Sequence, residues 1–516
     1  MSGTTPAATS RRPNILLITA DQWRGDCLGF AGHPVVRTPN VDRLAAAGTS
    51  FAAHYAQAAP CAPSRASLYT GLYQMNHRVV RNGTPLDARH DNLALAMRRL
   101  GYAPTLFGFT DQAVDPRTVP PDSPWLATYE GVLPGFEVAL RLPERPQPWL
   151  DWLAARGHWI PDNFWDIYQP ATGPSRRPTT APPAYSEDET ETAFVTDVFL
   201  DWLAGQGTEP WFAHISYLRP HPPFVVPAPF NTLYDPAAGP PFRRAATAAE
   251  EARQHPLVAY WHDRTGSDSH FTAPMLGPVE RIADWSDADF RTIRAIYWGM
   301  ISEVDRQIGR ILDVLGDDAD TVVVLTSDHG EMLGDHWTLG KFGYFDQSFH
   351  VPLIVRHPRA GAGRRVAAFS EAVDVMPTLI EMAGDRPPGH IDGRSLLPFL
   401  EGGEPADWRD AVHWEYDFRE VATGAAQQAL GLDLDACSLA VHRDRRFKYV
   451  HFAGLPPLLF DLAADPDELF DLAGEAGHAA VRLGCAESLL AWRARHLDRT
   501  LTGIALTPQG LVDARR

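Results

Sequence analysis

The chain alternates short, continuous apolar runs with longer stretches whose apolar residues recur at helical spacing, and the two patterns predict different elements. NILLITA, opened by Pro13 and closed by Asp21, is short and β-branched. TVVVLT, after Asp320, has the same form and runs into Asp328, His329 and Gly330. Runs that are apolar at every position predict strands covered on both faces, as in a parallel sheet. NVDRLAAAGTSF, from Asn40, predicts a helix stopped at Gly48. DADFRTIRAIYWGMISEVDRQIGRILDVLGDD, from Asp287, predicts a long amphipathic helix leading directly into the second strand. That order is the αβ order of a doubly wound fold. Ligands of such sheets collect beyond the carboxyl ends of the strands, where Asp21, Asp328 and His329 all fall.

The pattern changes along the chain. From Val114 to Ser186 it is rich in Pro and Trp and has little periodicity, and PAPFNTLYDPAAGPPF (Pro227 to Phe242) is similar. Both read as long insertions that build pocket walls. After IDGRSLLPFLEGG (Ile391 to Gly403), the segments AVHWEYDF, CSLAVHRDRRFKYVHF and PLLFDLAADPDELFDLAG predict short antiparallel strands with tight turns. ESLLAWRARHLDRTL, from Glu487, predicts a terminal helix followed by a tail. The expected organisation is a flexible tail over residues 1–12, a catalytic α/β domain over 13–400 and a smaller α+β domain over 401–516.

A length of 516 residues supports that division, because single cores stop growing well below it. A hydrophobic content of 45% suits a globular protein. No apolar run approaches the ~20 residues of a membrane span. MSGTTPAATSRRP lacks the apolar centre of a secretory signal, so a cytoplasmic location is expected. Cys27, Cys61, Cys437 and Cys485 are scattered without a C-x-x-C pair, which points to neither a zinc knuckle nor a disulfide framework. The net charge of −18 disfavours nucleic acid. An anionic substrate then requires a metal and a few cations that reverse the local field.

CAPSRASLYTG, from Cys61 to Gly71, supplies candidates for this. Pro63 followed by SRASLYT predicts the first turns of a helix, with Cys61 just ahead of its N-terminus. The unpaired N–H groups and dipole there favour negative charge, and Arg65 adds a cation. A small buried cysteine beside a capped helix is the bland alternative. It leaves Pro63, Arg65 and the acid-bearing strand ends unexplained.

CAPSR followed by ASLYTG matches the sulfatase signature C-x-P-x-R with its downstream Thr-Gly. PNILLITADQWRGDCLG, TPNVDRLAAAG, SDHGEMLGDH and DLAADPDELFDLAG follow the same family in order and spacing. The chain thus resembles the sulfatase family of the alkaline phosphatase superfamily over nearly its whole length. GLYQMNHRVVRNGTPLD, LRPHPPFV, LGKFGYFDQSFHVPLIV and FKYVHFAGLPPLLFDL look like its phosphonate monoester hydrolase branch, which is similar to arylsulfatases. The resemblance implies an alkaline-phosphatase-like α/β fold: a mostly parallel central sheet flanked by helices, with a smaller C-terminal α+β domain. It implies hydrolysis of small anionic esters, namely phosphonate monoesters, phosphodiesters and sulfate esters. A dedicated sulfatase, of the aryl or choline type, is the nearest alternative. A two-metal phosphodiesterase would need Ser or Thr where Cys61 stands.

The resemblance also implies that Cys61 is converted to formylglycine by a separate maturation enzyme. Its hydrate offers one hydroxyl for attack on sulfur or phosphorus, ionised on a metal, and a second through which the product group is expelled as the aldehyde reforms. The implied metal ligands are Asp21, Asp328, His329 and the modified Cys61. An oxygen-rich set favours one Mn²⁺ or Ca²⁺ over a thiolate-selected metal. Gln22 stands where many sulfatases carry a second aspartate. By the same resemblance, Arg65 holds the hydrate and the substrate oxyanion, and Lys341 binds a non-bridging oxygen. His221 contacts the scissile oxygen and donates the leaving-group proton, and Asn82 lines the pocket. One stretch, GFTDQ, departs from the branch: Phe109 and Asp111 stand where a Tyr and a Thr line the pocket. Asp111 brings a charge that repels an anionic substrate unless it meets a cationic substituent. The related hydrolases are tetramers, so a homo-oligomer is expected.

Overall fold

A computed structural model describes residues 12–173, 175, 177–266, 280–316, 320–358 and 360–514; the predicted tail, up to residue 11, lies outside them. The main sheet comprises β1 (Asn14–Ala20), β2 (Thr49–Tyr55), β3 (Pro104–Gly108), β4 (Glu137–Arg141), β5 (Phe212–Tyr217), β6 (Thr321–Thr326), β7 (Leu353–Arg356) and β8 (Arg364–Glu371), in the order β4-β3-β5-β1-β6-β7-β2-β8. β1 lies between β5 and β6 and runs parallel to both. β7 alone runs antiparallel to its neighbours.

The continuous apolar runs follow from this central placement. Leu16 and Ile18 enter one core, and Ile15 and Leu17 enter the core on the other face. Full burial of each such side chain contributes roughly 1.5–3 kcal/mol. The long helix, Asp287–Leu315, packs in the first core and begins with a capping box between Ser286 and Asp289. Helix Cys61–Thr70 packs in the second through Ala62, Ala66, Leu68 and Tyr69. The register pairs Thr19 with both Ser216 and Thr326, so β1, β5 and β6 end at one edge.

The C-terminal segments form an antiparallel sheet of β9 (Val412–Asp417), β10 (Ser438–Arg443), β11 (Phe447–Phe452) and β12 (Leu458–Asp461). No helix among the described residues is long and apolar enough to cross a membrane.

Four segments differ from expectation in extent or placement. The terminal helix begins at Ala479 rather than Glu487, with Gly484 in its interior weakening the sequence signal. After it, Ile504–Thr507 and Gly510–Asp513 pair as a hairpin instead of forming a bare tail. Within the irregular stretch after Val114, β4 extends the sheet edge; Glu137, Val138 and Ala139 are all exposed, so no alternation marks it. Pro227–Phe242 lines a cavity through Pro240 and Pro241, but not the cavities that Cys61 or Lys341 line. It packs on the long helix, where Tyr234 Oη meets Ser302 Oγ at 2.6 Å and the Phe230 carbonyl lies 2.4 Å from the place of a Cβ on Gly299.

Gly71 closes helix Cys61–Thr70 at φ 67°, in the left-handed region. No neighbouring atom stands closer than 3.5 Å to a Cβ built there, so the cost of a side chain is backbone strain alone. Gly71→Ala is expected to lose about 1–2 kcal/mol of stability and Gly71→Asn less, measured by denaturant unfolding. Equal stability of Gly71→Ala and the parent would contradict this account of the cap.

Candidate active site

Asp21 follows β1, and Asp328 and His329 follow β6, so strand pairing alone delivers all three to one edge. Gln22 takes a left-handed backbone (φ 69°), which turns its N–H onto Asp328 Oδ1 at 3.1 Å. Cys61 is the first residue of its helix, one step further in than expected, and Pro63 is accommodated in the first turn. Cys61 and Arg65, four residues apart, share a helix face. Asn82 Oδ1 accepts the Ala62 N–H at 2.9 Å and so satisfies one open donor of that first turn.

The side chains converge in a buried cluster. Cys61 Sγ lies 3.2 Å from His329 Nε2 and 4.0 Å from Asp21 Oδ1. His329 Nε2 lies 3.7 Å from Asp21 and 3.9 Å from Asp328. Arg65, wholly buried, donates from Nε to Asp328 Oδ2 at 2.9 Å, from Nη2 to Asp21 Oδ2 at 3.0 Å and from Nη1 to Ser216 Oγ at 2.8 Å. Its guanidinium also stacks over Phe109, 4.2 Å from the ring centre.

Burial and the Asp328 charge push the Asp21 carboxyl well above its ordinary value. Burial acts in the same sense on Asp328, but His329 and Arg65 overcome it and hold that carboxyl low. Burial lowers His329 to about 4, so its ring is neutral at pH 7. Nδ1 faces the Gly330 carbonyl at 3.0 Å and donates to it, which turns the Nε2 lone pair toward Cys61 and the carboxylates. Burial and Asp21 push the Cys61 thiol well above its ordinary value, against the pull of the helix terminus.

Asp21, Cys61, Asp328 and His329 each offer a ligand atom, and these atoms lie within 4.8 Å of one another. Two carboxylates and a neutral imidazole with its second nitrogen committed fit a divalent cation. Beside them Lys341 Nζ donates to Gln22 Oε1 at 2.7 Å, and Gln22 Nε2 donates to Glu331. Burial opposes the Lys341 charge, but Cys61, Asp21 and Asp328 outweigh it and raise its pKa. His221 Nδ1 meets the Pro222 carbonyl at 2.7 Å. Burial and Lys341 hold that ring well below its ordinary value, so its Nε2 carries a proton only when an anion nearby favours the imidazolium.

Two cavities meet at His221. A small one, about 60 Å³, is lined by Cys61, Asp21, Asn82, Phe109 and Asp111, and also by Tyr129, Glu130, Glu144 and Trp165. A second, about 320 Å³, is lined by Gln22, Lys341, Arg81, Tyr260, Trp261 and Phe418. A cavity of about 690 Å³ beside the C-terminal helix has no such set of donors, so size does not locate the site.

Every residue singled out in the sequence thus lies in or beside one cluster. Ser216 was missed, although it lies near the carboxyl end of β5, at the same sheet edge as Asp21. Tyr129, Glu130, Glu144 and Trp165 come from the irregular stretch read as pocket wall, but no periodicity singled them out within it.

The Sulfatase family model matches residues 13–385, and that of N-sulphoglucosamine sulphohydrolase, C-terminal, matches residues 334–495. The multifunctional alkaline phosphatase superfamily protein PehA of Trinickia caryophylli is 42% identical, over 97% of this chain and 99% of its own. The phosphonate monoester hydrolase of Agrobacterium radiobacter superposes with a TM-score of 0.94 at 55% identity, covering 97% of this chain and 99% of that one. The phosphonate monoester hydrolase of Silicibacter pomeroyi gives 0.92 at 40% identity, covering 98% and 100%. A donor cluster of this kind at the carboxyl edge of a mostly parallel sheet, with these matches along the chain, makes the protein an ester hydrolase that belongs to the sulfatase family.

Proposed function

We propose that the chain is a metal- and formylglycine-dependent hydrolase of phosphonate monoesters, phosphodiesters and sulfate esters. The observation that carries this reading is the convergence of Cys61, Asp21, Asp328 and His329, with Arg65 and Lys341 as buried cations beside them. The names of the similar proteins support the phosphonate side of it. When present, a divalent metal (Mn²⁺ first, Ca²⁺ second) and a formylglycine made from Cys61 supply Lewis acidity, a nucleophilic hydroxyl and a second hydroxyl for product release. The reading brings with it a formylglycine-generating partner, a homo-tetramer, a cytoplasmic location and domains at 13–400 and 401–516.

The chain's own residues then have separate tasks. Arg65 keeps two buried carboxylates apart and oriented while offsetting their charge. Lys341 faces a non-bridging oxygen of the ester, where charge grows on the way to the transition state. His221 receives its second proton when the anionic ester binds and passes it from Nε2 to the leaving oxygen. Asn82 holds the first turn of the nucleophile's helix.

The comparison of kcat/KM for p-nitrophenyl phenylphosphonate and p-nitrophenyl sulfate on one metal-loaded preparation tests the branch. The phosphonate ester is expected to be preferred; a clear preference for the sulfate would identify a dedicated sulfatase. Cys61→Ser, made in a host without serine-type maturation, is expected to lose ~10³-fold or more in kcat. Near-normal turnover would rule out the aldehyde. Asp328→Asn is expected to lower metal affinity on the order of 10²-fold, with activity falling in parallel, and elemental analysis reads the metal directly. Unchanged metal content would remove Asp328 from the ligand set. His221→Ala is expected to cost ~10²–10³-fold on alkyl esters and far less on p-nitrophenyl esters, whose leaving group needs no proton. An equal loss on both would take the proton away from His221.

A further inference from the structure

The small cavity, which Asp21 and Cys61 also line, carries acidic and aromatic side chains, which is unexpected in a site built for anions. Asp111 sits there at φ 52°, a left-handed backbone that a non-glycine residue adopts at a cost. The side chain is 5% exposed and lines the cavity. The loop around it is pinned: Thr110 Oγ1 donates to the Gly131 carbonyl at 3.0 Å, and Gln112 Nε2 donates to the Ala62 carbonyl at 3.1 Å. Among the described residues, the Asp111 carboxylate takes part in no hydrogen bond and no ion pair. The nearest cation, Arg65, has committed its donors to Asp328, Asp21, Ser216 and the Phe109 carbonyl. Burial, helped by Glu130 and Asp328, raises Asp111 to about 7. A buried acid without a partner is costly in free energy and needs a reason.

Glu130, half-buried, faces the same cavity, as does Glu144, which accepts the Tyr129 hydroxyl at 3.1 Å. Phe109, Tyr129 and Trp165 add ring surface to the same cavity. Carboxylates that share a cavity with aromatic rings repel an ester's anionic oxygens and attract an ammonium group, by charge and by cation–π contact.

The two cavities divide the substrate. In an in-line displacement the leaving group departs opposite the nucleophile. Lys341 lines the second cavity, Cys61 the first, and His221 stands where they meet. The leaving group therefore belongs in the second cavity, and the substituent that stays on phosphorus belongs in the first, beside Asp111. The volume of about 60 Å³ suits a short chain rather than a large ring system.

We propose that the small cavity is a cation subsite, and that the preferred substrates are phosphonate monoesters or phosphodiesters whose retained substituent ends in an ammonium group. The inference rests on the hydrolase reading above and adds the charge of the substrate's far end. It turns on Asp111, a buried carboxylate that lines the cavity without a partner among the described residues.

The test uses two esters with one leaving group: p-nitrophenyl 2-aminoethylphosphonate and p-nitrophenyl propylphosphonate, nearly equal in size and different in charge. The parent enzyme is expected to favour the aminoethyl ester roughly tenfold or more in kcat/KM. Asp111→Asn is expected to bring the ratio to within about threefold of unity, and Glu130→Gln to lower it in part. Because the readout is a ratio measured on one preparation, partial loss of folded enzyme does not move it. Competitive inhibition by 2-aminoethylphosphonate and propylphosphonate is a second readout and is expected to show the same preference and the same loss. Equal rates in the parent, or a preference that survives in both variants, would overturn the cation subsite and leave the hydrolase reading standing. No turnover of either ester by enzyme carrying metal and formylglycine would overturn both.

Discussion

One buried guanidinium ties the site together. Arg65 projects from the helix that begins with Cys61 and bonds carboxylates that leave two different strands. It therefore sets the distance between the nucleophile position and the candidate metal ligands, and between the ligands themselves. Trading the contact for a packed apolar pair would remove both carboxylates from the candidate metal site. Removal of the cation would leave two buried acids facing each other, a loss on the order of 3–5 kcal/mol. The fold accepts the desolvation of three charges at once because the site needs them.

The charge balance around Arg65 also defines what enters. Arg65 and Lys341 offset Asp21 and Asp328, so a divalent ion among the ligands leaves a positive excess for an anionic ester. Gln22 matters to this balance. An acid at that position would cancel part of the excess; the amide instead accepts from Lys341 and donates to Glu331, holding the lysine in place without adding charge. Lys341 lines the second cavity, and Asp111, Glu130 and Glu144 line the first. The site thus carries a field gradient, which orients a zwitterionic substrate better than a simple anion.

Much of this was legible along the chain because it depends on local patterns. Continuous apolar runs mark strands buried on both faces, and the residue after such a strand lies at the ligand-binding edge; Asp21, Asp328 and His329 follow from that rule. Cys61 and Arg65, four apart on a helix that Gly71 ends, share a face by helical geometry. The capped long helix and the C-terminal strands were readable in the same way. β4 was not: its exposed residues obey no alternation and are held by pairing with β3. Nor was the packing of Pro227–Phe242 on the long helix, since proline-rich chain looks alike wherever it docks.

The sequence by itself determined the candidate reacting and ligating groups and the strand ends that carry them, because these depend on residue type and short-range periodicity. Tertiary structure alone decided the rest. It brought Ser216 under Arg65, joined Lys341 to Gln22 and gathered Tyr129, Glu130, Glu144 and Trp165 around the cavity that Cys61 lines. It also left Asp111 buried without a partner. Those relations link residues far apart in the chain through pairing, packing and desolvation, and none of these is visible until the chain has folded back on itself.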